Sequence, residues 1–179
     1  MAPVLALLAA QPTFAQKWEI STNILEYANL GTFNLEGGYA LAQHWSIHLG
    51  ARYNPFSYGT EEKGYFQNKK QSYAAGVRWW AWHTWSGFWL AGKAQYLEYN
   101  SGGIFTSKTE EGDAVGGSLS LGYTYMVTPR LNLDFGAGIW AGKKYYTSYS
   151  CPRCGITTGK GSKTFVMPND FLVSLSYVF

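Results

Sequence analysis

Charge is scarce in this sequence. Asp, Glu, Lys and Arg make up 14% of its 179 residues, against about 25% in an average soluble domain. The net charge is only +3 and the basic residues are scattered, which excludes the clustered cationic surface that nucleic-acid binding requires. Cysteine occurs twice and histidine three times, too few for a self-contained zinc ribbon, which needs a second Cys pair to close its tetrahedron. No apolar run approaches the roughly 20 residues of a membrane-spanning helix. Nor is there a composition break or linker, so a single domain is expected.

Rings and glycine are plentiful instead: aromatics reach 18% and there are 21 glycines. The mean hydropathy is nonetheless −0.17. Strands that alternate between lipid and a polar interior would give this combination. A soluble β-sandwich also alternates and is the competing reading.

The first residues read separately. Val4 to Ala10 is a short apolar run, and small residues at Thr13 and Ala15 precede Gln16. The pattern predicts a secretory signal over residues 1–15 and a mature domain over 16–179, although no Lys or Arg precedes the apolar run.

Beyond residue 17 the period is two. In Leu131-Asn132-Leu133-Asp134-Phe135-Gly136-Ala137-Gly138-Ile139 the odd positions are apolar and the even ones polar or Gly. Thr128-Pro129-Arg130 marks a turn, since Pro lacks the N–H that pairing needs. Register then places Tyr125 by Leu133 and Tyr123 by Phe135, with both apolar sets on one face. Ala42-Gln43-His44 similarly joins residues 33–41 to 45–53, with Leu41 by Trp45 and Tyr39 by Ile47. Residues 83–86 join 73–82 to 88–96, with Ala81 by Leu90 and Val77 by Ala94. A first strand over 18–28 turns at Asn29-Leu30-Gly31, leaving Glu26 on the apolar face, and a last strand runs over 165–179 to a terminal Phe.

The sum is an all-β, eight-stranded antiparallel up-and-down barrel, with strands long enough for an outer membrane, which needs about 9 to 11 residues. Short turns at one end, and long polar connections over 57–70, 100–112 and 147–164 at the other, match the periplasmic and extracellular sides of such barrels. Trp18, Trp45, Trp79, Trp80, Trp82, Trp85 and Trp89 fall near the short-turn end and many tyrosines near the other, as two interfacial belts would.

Opposite the apolar face lie Glu36, His48, Arg52, Arg78, Lys93, Gln95 and Asp134. A barrel this small has an interior just wide enough for side chains, so these groups are expected to fill the lumen as ion pairs and hydrogen bonds. Glu36 is expected diagonally across from Arg52, with Gly50 opposite. Arg78 and Lys93 face each other and need Asp134 or water between them. A narrow path for ions is the alternative. His48 could face Ser46 or Ser118, but no complete nucleophile, base and orienting group is visible, so neither enzyme activity nor a cofactor is expected. A lipid-modifying barrel enzyme is the remaining alternative.

Cys151-Pro152-Arg153-Cys154-Gly155 lies in the last long connection. No thioredoxin-like pattern surrounds it. A disulfide between Cys151 and Cys154, in a compartment that permits one, is one reading. A metal held by the pair plus outside ligands, or an intermolecular site, is the other.

Several segments together resemble a known family: Thr22-Asn23-Ile24-Leu25, Asn34-Leu35-Glu36, Trp45-Ser46-Ile47, Arg52-Tyr53-Asn54-Pro55-Phe56, Val77-Arg78-Trp79-Trp80, the Cys151–Cys154 segment and the closing Ser174-Leu175-Ser176-Tyr177-Val178-Phe179. The chain resembles small outer-membrane proteins of Bacteroides-like bacteria that form a domain family of unknown function. The resemblance spans nearly the whole mature chain and supplies no catalytic residues. Members are often encoded beside fimbrial or cell-surface genes, which implies membrane lipid and a surface or fimbrial protein as partners. The expected role is therefore structural or interactive, with the barrel anchoring loops that bind a surface partner or stabilise the envelope.

Overall fold

The computed structural model describes residues 16–60, 64–102, 109–150 and 156–179. Residues 1–15, with the expected signal, and Cys151 and Cys154 lie outside the described residues.

The strands are β1 (Trp18–Asn23), β2 (Phe33–Ala42), β3 (Trp45–Asn54), β4 (Ser57–Thr60), β5 (Gly64–Trp80), β6 (Gly87–Gly102), β7 (Thr109–Met126), β8 (Leu131–Tyr149) and β9 (Thr157–Val178), with one short helix, α1 (Ile24–Ala28). Each pairs antiparallel with its sequence neighbour, save that β3 pairs with β5, and β1 also pairs with β9. The sheet thus closes into a ring of eight hydrogen-bonded strands, with β4 a short extra strand against the upper part of β5. The chain ends complete the seam, as Trp18 and Phe179 exchange backbone N–H···O bonds of 3.0 and 2.9 Å. At the height of that seam a closed ring leaves these eight strands no open edge. Among the described residues no helix is long and apolar enough to cross a membrane.

Pairing of Tyr125 with Leu133, Tyr123 with Phe135 and Tyr39 with Ile47 follows the expected register. Four expectations need correction. The first strand stops at Asn23 rather than running to residue 28. The Asn23 side chain accepts from Leu25 N at 3.2 Å to cap α1, and its amide group donates to Phe171 O at 2.9 Å. A side chain that caps a helix and ties a neighbouring strand ends the pairing there. Second, a bulge between Ala40 and Ala42 sets Ala42, not Leu41, opposite Trp45. Third, the 83–86 hairpin is tighter than expected, so Trp79 meets Leu90 and Val77 meets Gly92, two residues off the expected register but on the same face. Trp85 makes the tight turn with a φ of 71°, a conformation costly for a bulky side chain. Burial of its indole, with Nε1 donating to Gln16 O at 2.9 Å, holds it there. Fourth, the connections over 57–70, 100–112 and 147–164 are largely strand. β5 to β9 run on past the apolar region as tall paired ribbons.

Polarity is inverted relative to a soluble domain. Leu49, Leu119, Leu121 and Phe88 stand on the outside, with Leu49 and Leu121 each 65% exposed, while Glu19, Arg78, Asp134 and six serines are buried. The tryptophans divide between the two faces. Trp18, Trp45, Trp79 and Trp82 face outward as an external row should, whereas Trp80, Trp85 and Trp89 turn inward and pack with Ala91 and Val178 as the hydrophobic core. Seven rings near one end had suggested a single belt; the pleat sends alternate ones to opposite faces.

Candidate functional site

Interior side chains form three levels between the short-turn end and the far end. At the short-turn end the three inward tryptophans make a floor. Trp80 and Trp85 pack edge to face at 5.6 Å, and the Arg78 guanidinium lies over Trp89 at 4.3 Å and Trp80 at 5.3 Å. Space for Trp89 comes from two facing glycines. A Cβ on Gly122 would lie 2.3 Å from the Trp89 ring, and one on Gly136 would lie 2.7 Å from it.

Above the floor, Glu36 is the hub. Its carboxylate accepts from His48 Nδ1 at 2.9 Å, from the Arg78 guanidinium at 3.2 Å and from Lys93 Nζ at 2.6 Å. Neither Asp134 nor bridging water is needed for Arg78 and Lys93, because they converge on this one acid. Gly50 is its cross-strand partner, as expected. Asp134 instead accepts from Thr124 and, at 3.0 Å, from Ser176. Arg52 does not pair with Glu36. It lies 3.8 Å from Glu26, which also accepts from Lys70 Nζ at 2.8 Å. Glu26 is therefore turned inward by α1, not set on the apolar face. Glu19, buried beside this level, was missed, although the alternation Trp18, Glu19, Ile20, Ser21 already marked it as inward.

His48 does meet Ser46, through Nε2 to Oγ at 2.8 Å. Ser46, His48 and Glu36 thus line up as a hydroxyl, an imidazole and an orienting carboxylate. Chemically the hydroxyl has no room to act. Ser46 has no exposed surface, and its oxygen already accepts from Trp80 Nε1 at 2.9 Å. A nucleophile must reach a substrate atom, and this one is beneath an indole. Among the described residues no group of three or more His, Cys, Asp or Glu could hold a metal ion.

Towards the far end the interior is polar. Gln95 donates to Ser72 at 3.3 Å and accepts from Asn169 at 3.2 Å. A cavity of about 30 Å³ lies between this level and Glu36, room for a water or two. Beyond it the ring opens into a vestibule of about 1060 Å³, whose lining combines Tyr99, Tyr146 and Gly161 with three lysines, Lys69, Lys70 and Lys160, and three acids, Glu98, Glu111 and Asp113. In its wall Glu110 accepts from Lys144 Nζ and from Tyr99 OH, each at 2.7 Å. Partial burial works to raise the Glu110 carboxyl, but hydrogen bonds from Lys144 and Tyr99, with the charges of Lys144 and Lys163, outweigh it and hold Glu110 below its ordinary value. The vestibule was not foreseen, because the residues that build it read as loop.

No curated protein and no solved structure matches the chain. A family does, over residues 1–179, and the chain belongs to it: the family described as protein of unknown function (DUF3575).

Proposed function

We propose that the chain is a transmembrane β-barrel of a bacterial outer membrane, with a lumen sealed by its own side chains, that anchors a surface partner through its far end. The inverted polarity carries this reading. Outward rows from Tyr125 through Tyr123, Leu121 and Leu119 to Val115 are apolar or Gly, and Asp113 ends them. Eleven residues of tilted strand rise about 25 Å, the height of the apolar band on such barrels. In water this surface would far exceed the few hundred Å² of contiguous apolar area that soluble monomers show. Outward Trp18, Trp45, Trp79 and Trp82 at one edge, and Tyr53, Tyr73 and Tyr96 at the other, suit the two interfaces, where amphipathic rings prefer to sit. Residues 1–15 are read as the secretory signal that delivers the chain. The termini and short turns then face the periplasm, and the ribbons of β5 to β9 stand outside the cell.

The interaction role is supported by how much strand stands above the band. The barrel needs none of it to span the membrane, yet it is built as ordered, hydrogen-bonded ribbon. A fimbrial or other surface protein is the partner proposed. A conducting path is served less well, because Trp80, Trp85 and Trp89 close the floor. Lipid modification is served less well, because Ser46 is sealed.

The test is to place an epitope within residues 61–63, cross-link intact cells and capture the protein from isolated outer membranes. One near-stoichiometric surface protein, lost when the β6–β7 and β8–β9 ribbons are shortened to band height, is expected. A barrel that reaches the outer membrane and captures nothing would overturn the anchoring role. Recovery in a soluble fraction would overturn the membrane reading itself.

A further inference from the structure

The seam between β1 and β9 closes the ring only from Glu19↔Val178 to Asn23↔Ser174. Beyond Asn23 the chain turns into α1, while β9 extends from the seam back to Thr157 with β8 on its other side throughout. One edge of β9 above the seam therefore has no strand beside it. Its foot is occupied, since the Asn23 side chain donates to Phe171 O at 2.9 Å and accepts from Val173 N at 3.2 Å. From Thr157 to Thr164 this edge has no backbone partner among the described residues. Burial agrees: within the ring it alternates along each strand, whereas from Thr157 to Thr164 every residue except Gly161 is exposed. α1 and the turn after it do not reach this stretch. They are tied to β4 and β5 instead, where Lys70 meets Glu26 at 2.8 Å, Asn68 Nδ2 donates to Asn29 Oδ1 at 3.1 Å and Tyr58 OH donates to Leu30 O at 3.1 Å.

Every second residue of an antiparallel strand turns its N–H and C=O to the same side, so an unpaired edge is a template for one more strand. A Cβ on Gly159 would meet nothing within 4 Å. No packing inside the chain requires glycine there, and glycine in a strand suits a place where another backbone comes close. Charge decides what can pair. From Phe135 to Tyr149 on β8 and from Thr157 to Asn169 on β9 there are four lysines, Lys143, Lys144, Lys160 and Lys163, and no Asp or Glu. Lys144 is held by Glu110 of β7. Lys160 and Lys163 have no hydrogen bond or ion pair among the described residues, and Lys163 reaches Glu110 only through its charge. The acids of the vestibule stand on β6 and β7, at least two strand spacings, about 10 Å, from this edge. A second copy paired edge to edge would bring the lysines of both edges together, and like charges across a strand pair repel. An acidic strand is favoured by the same rule. Lys160 and Lys163 are three apart and fall on opposite faces of β9, so a strand laid alongside meets them with two of its own residues three apart.

We propose that the free edge of β9, from Thr157 to Thr164, takes up an extended segment of the surface partner as an added strand, and that Lys160 and Lys163 select a segment with two carboxylates three residues apart. The inference rests on the anchoring reading and states how the partner is held.

The test uses the full chain refolded in detergent and a fluorescent decapeptide of Thr, Ser and Val with two Glu three residues apart. Its controls are the same peptide with Lys for Glu, and two versions of the acidic peptide N-methylated on one or the other alternate set of amides. Saturable binding of the acidic peptide, with slowed amide exchange over Thr157–Thr164, is expected. One methylated version should fail to bind, because it lacks the donors that face the edge. Lys160→Gln and Lys163→Gln, both at exposed positions where folding is safe, should each weaken binding by up to about fivefold, the upper end for an opposite-charge pair across strands. Lys160→Glu with Lys163→Glu should move the preference to the lysine peptide. No binding, binding indifferent to both methylations, protection on β4 in place of β9, or an unchanged preference after reversal would overturn the proposal. So would a wild-type dimer, seen by sedimentation, that buries the β9 edge. Capture from cross-linked cells separates this idea from the anchoring reading. A surface protein captured equally by wild type and by the reversed variant leaves anchoring and removes the edge. Peptide pairing in detergent with nothing captured from cells removes anchoring and leaves the edge as a strand-pairing site.

Discussion

Replacing Glu36 by Gln should unfold the barrel far more easily than any other single interior change of equal size. The side chains of Arg78 and Lys93 are 3% and 6% exposed, and both rest on this one carboxylate. Glutamine keeps the volume and one acceptor oxygen but removes the charge. Two cations then lie in a medium of low dielectric without the one carboxylate they both touch, and Arg78 already has Nε and one terminal nitrogen without hydrogen-bond partners among the described residues. Breaking a buried pair in this way typically costs about 3–5 kcal/mol. With a urea dependence of about 2 kcal/mol per molar, the midpoint of unfolding from lipid vesicles should fall by roughly 1.5–2.5 M. The double variant Glu36→Gln with Lys93→Met removes one orphaned charge along with the acid, so at least about 1 kcal/mol should return as coupling. Asp134→Asn is the contrast, since among the described residues Asp134 accepts from the hydroxyls of Thr124 and Ser176 and holds no cation, and it should cost about 1–2 kcal/mol. If Glu36→Gln moved the midpoint by less than about 0.3 M, water would have to reach these cations, and the sealed-lumen argument would fail.

The floor makes two further predictions. A Cβ at Gly122 would sit 2.2 Å from the Phe135 carbonyl oxygen and 2.3 Å from Trp89, whereas one at Gly117 meets nothing nearer than 3.8 Å. Gly122→Ala should therefore cost about 3 kcal/mol or more and Gly117→Ala within about 0.5 kcal/mol, by the same urea titration; equal effects would refute the seat proposed for Trp89. In planar bilayers the wild-type protein should be electrically silent, and Trp85→Ala with Trp89→Ala should leak; discrete wild-type steps would refute the closed floor. Ser46→Ala should leave the acylation pattern of outer-membrane lipid unchanged in an expressing strain, because the hydroxyl is sealed; an altered pattern would restore the enzyme reading. For Glu110 the folded carboxyl lies below the ordinary 4.5, so its contribution is present above that value and lost as pH falls through the lower, folded one. Amide protection factors, corrected for the intrinsic exchange rate, in the outer halves of β7 and β8 should stay flat from neutrality to pH 4.5 and fall only below it, and Glu110→Gln should abolish that fall; an onset well above pH 4.5 would contradict the assignment.

The alternation of side chains was legible because it is local. A strand turns successive side chains to opposite faces whatever lies around it, so Leu131 to Ile139 declared both its strand and its outward set without any partner. Turn chemistry at Thr128-Pro129-Arg130 then fixed one hairpin register correctly. Where the turn was set by something remote the reading slipped. The left-handed Trp85 is stable only because its indole is buried in the ring and bound to Gln16, a contact across 69 residues, and the register of that hairpin came out two residues off. Residues 57–70, 100–112 and 147–164 read as loop because they are polar on both faces. A ribbon with no apolar face has no hydrophobic alternation to show.

Sequence by itself determined the strands within the apolar band, their up-and-down order and the inward placement of Glu36, His48, Arg78, Lys93 and Asp134, because period and turn residues are properties of short segments. Only the tertiary structure decided which of those groups meet. Ring closure brings β2, β3, β5 and β6 around one interior, so distance across the lumen, not separation along the chain, joins Lys93 to Glu36 over 57 residues, gives Arg52 to Glu26, and seals Ser46 beneath Trp80. Closure also created the vestibule, since a chamber belongs to no strand and exists only once all eight stand in a ring.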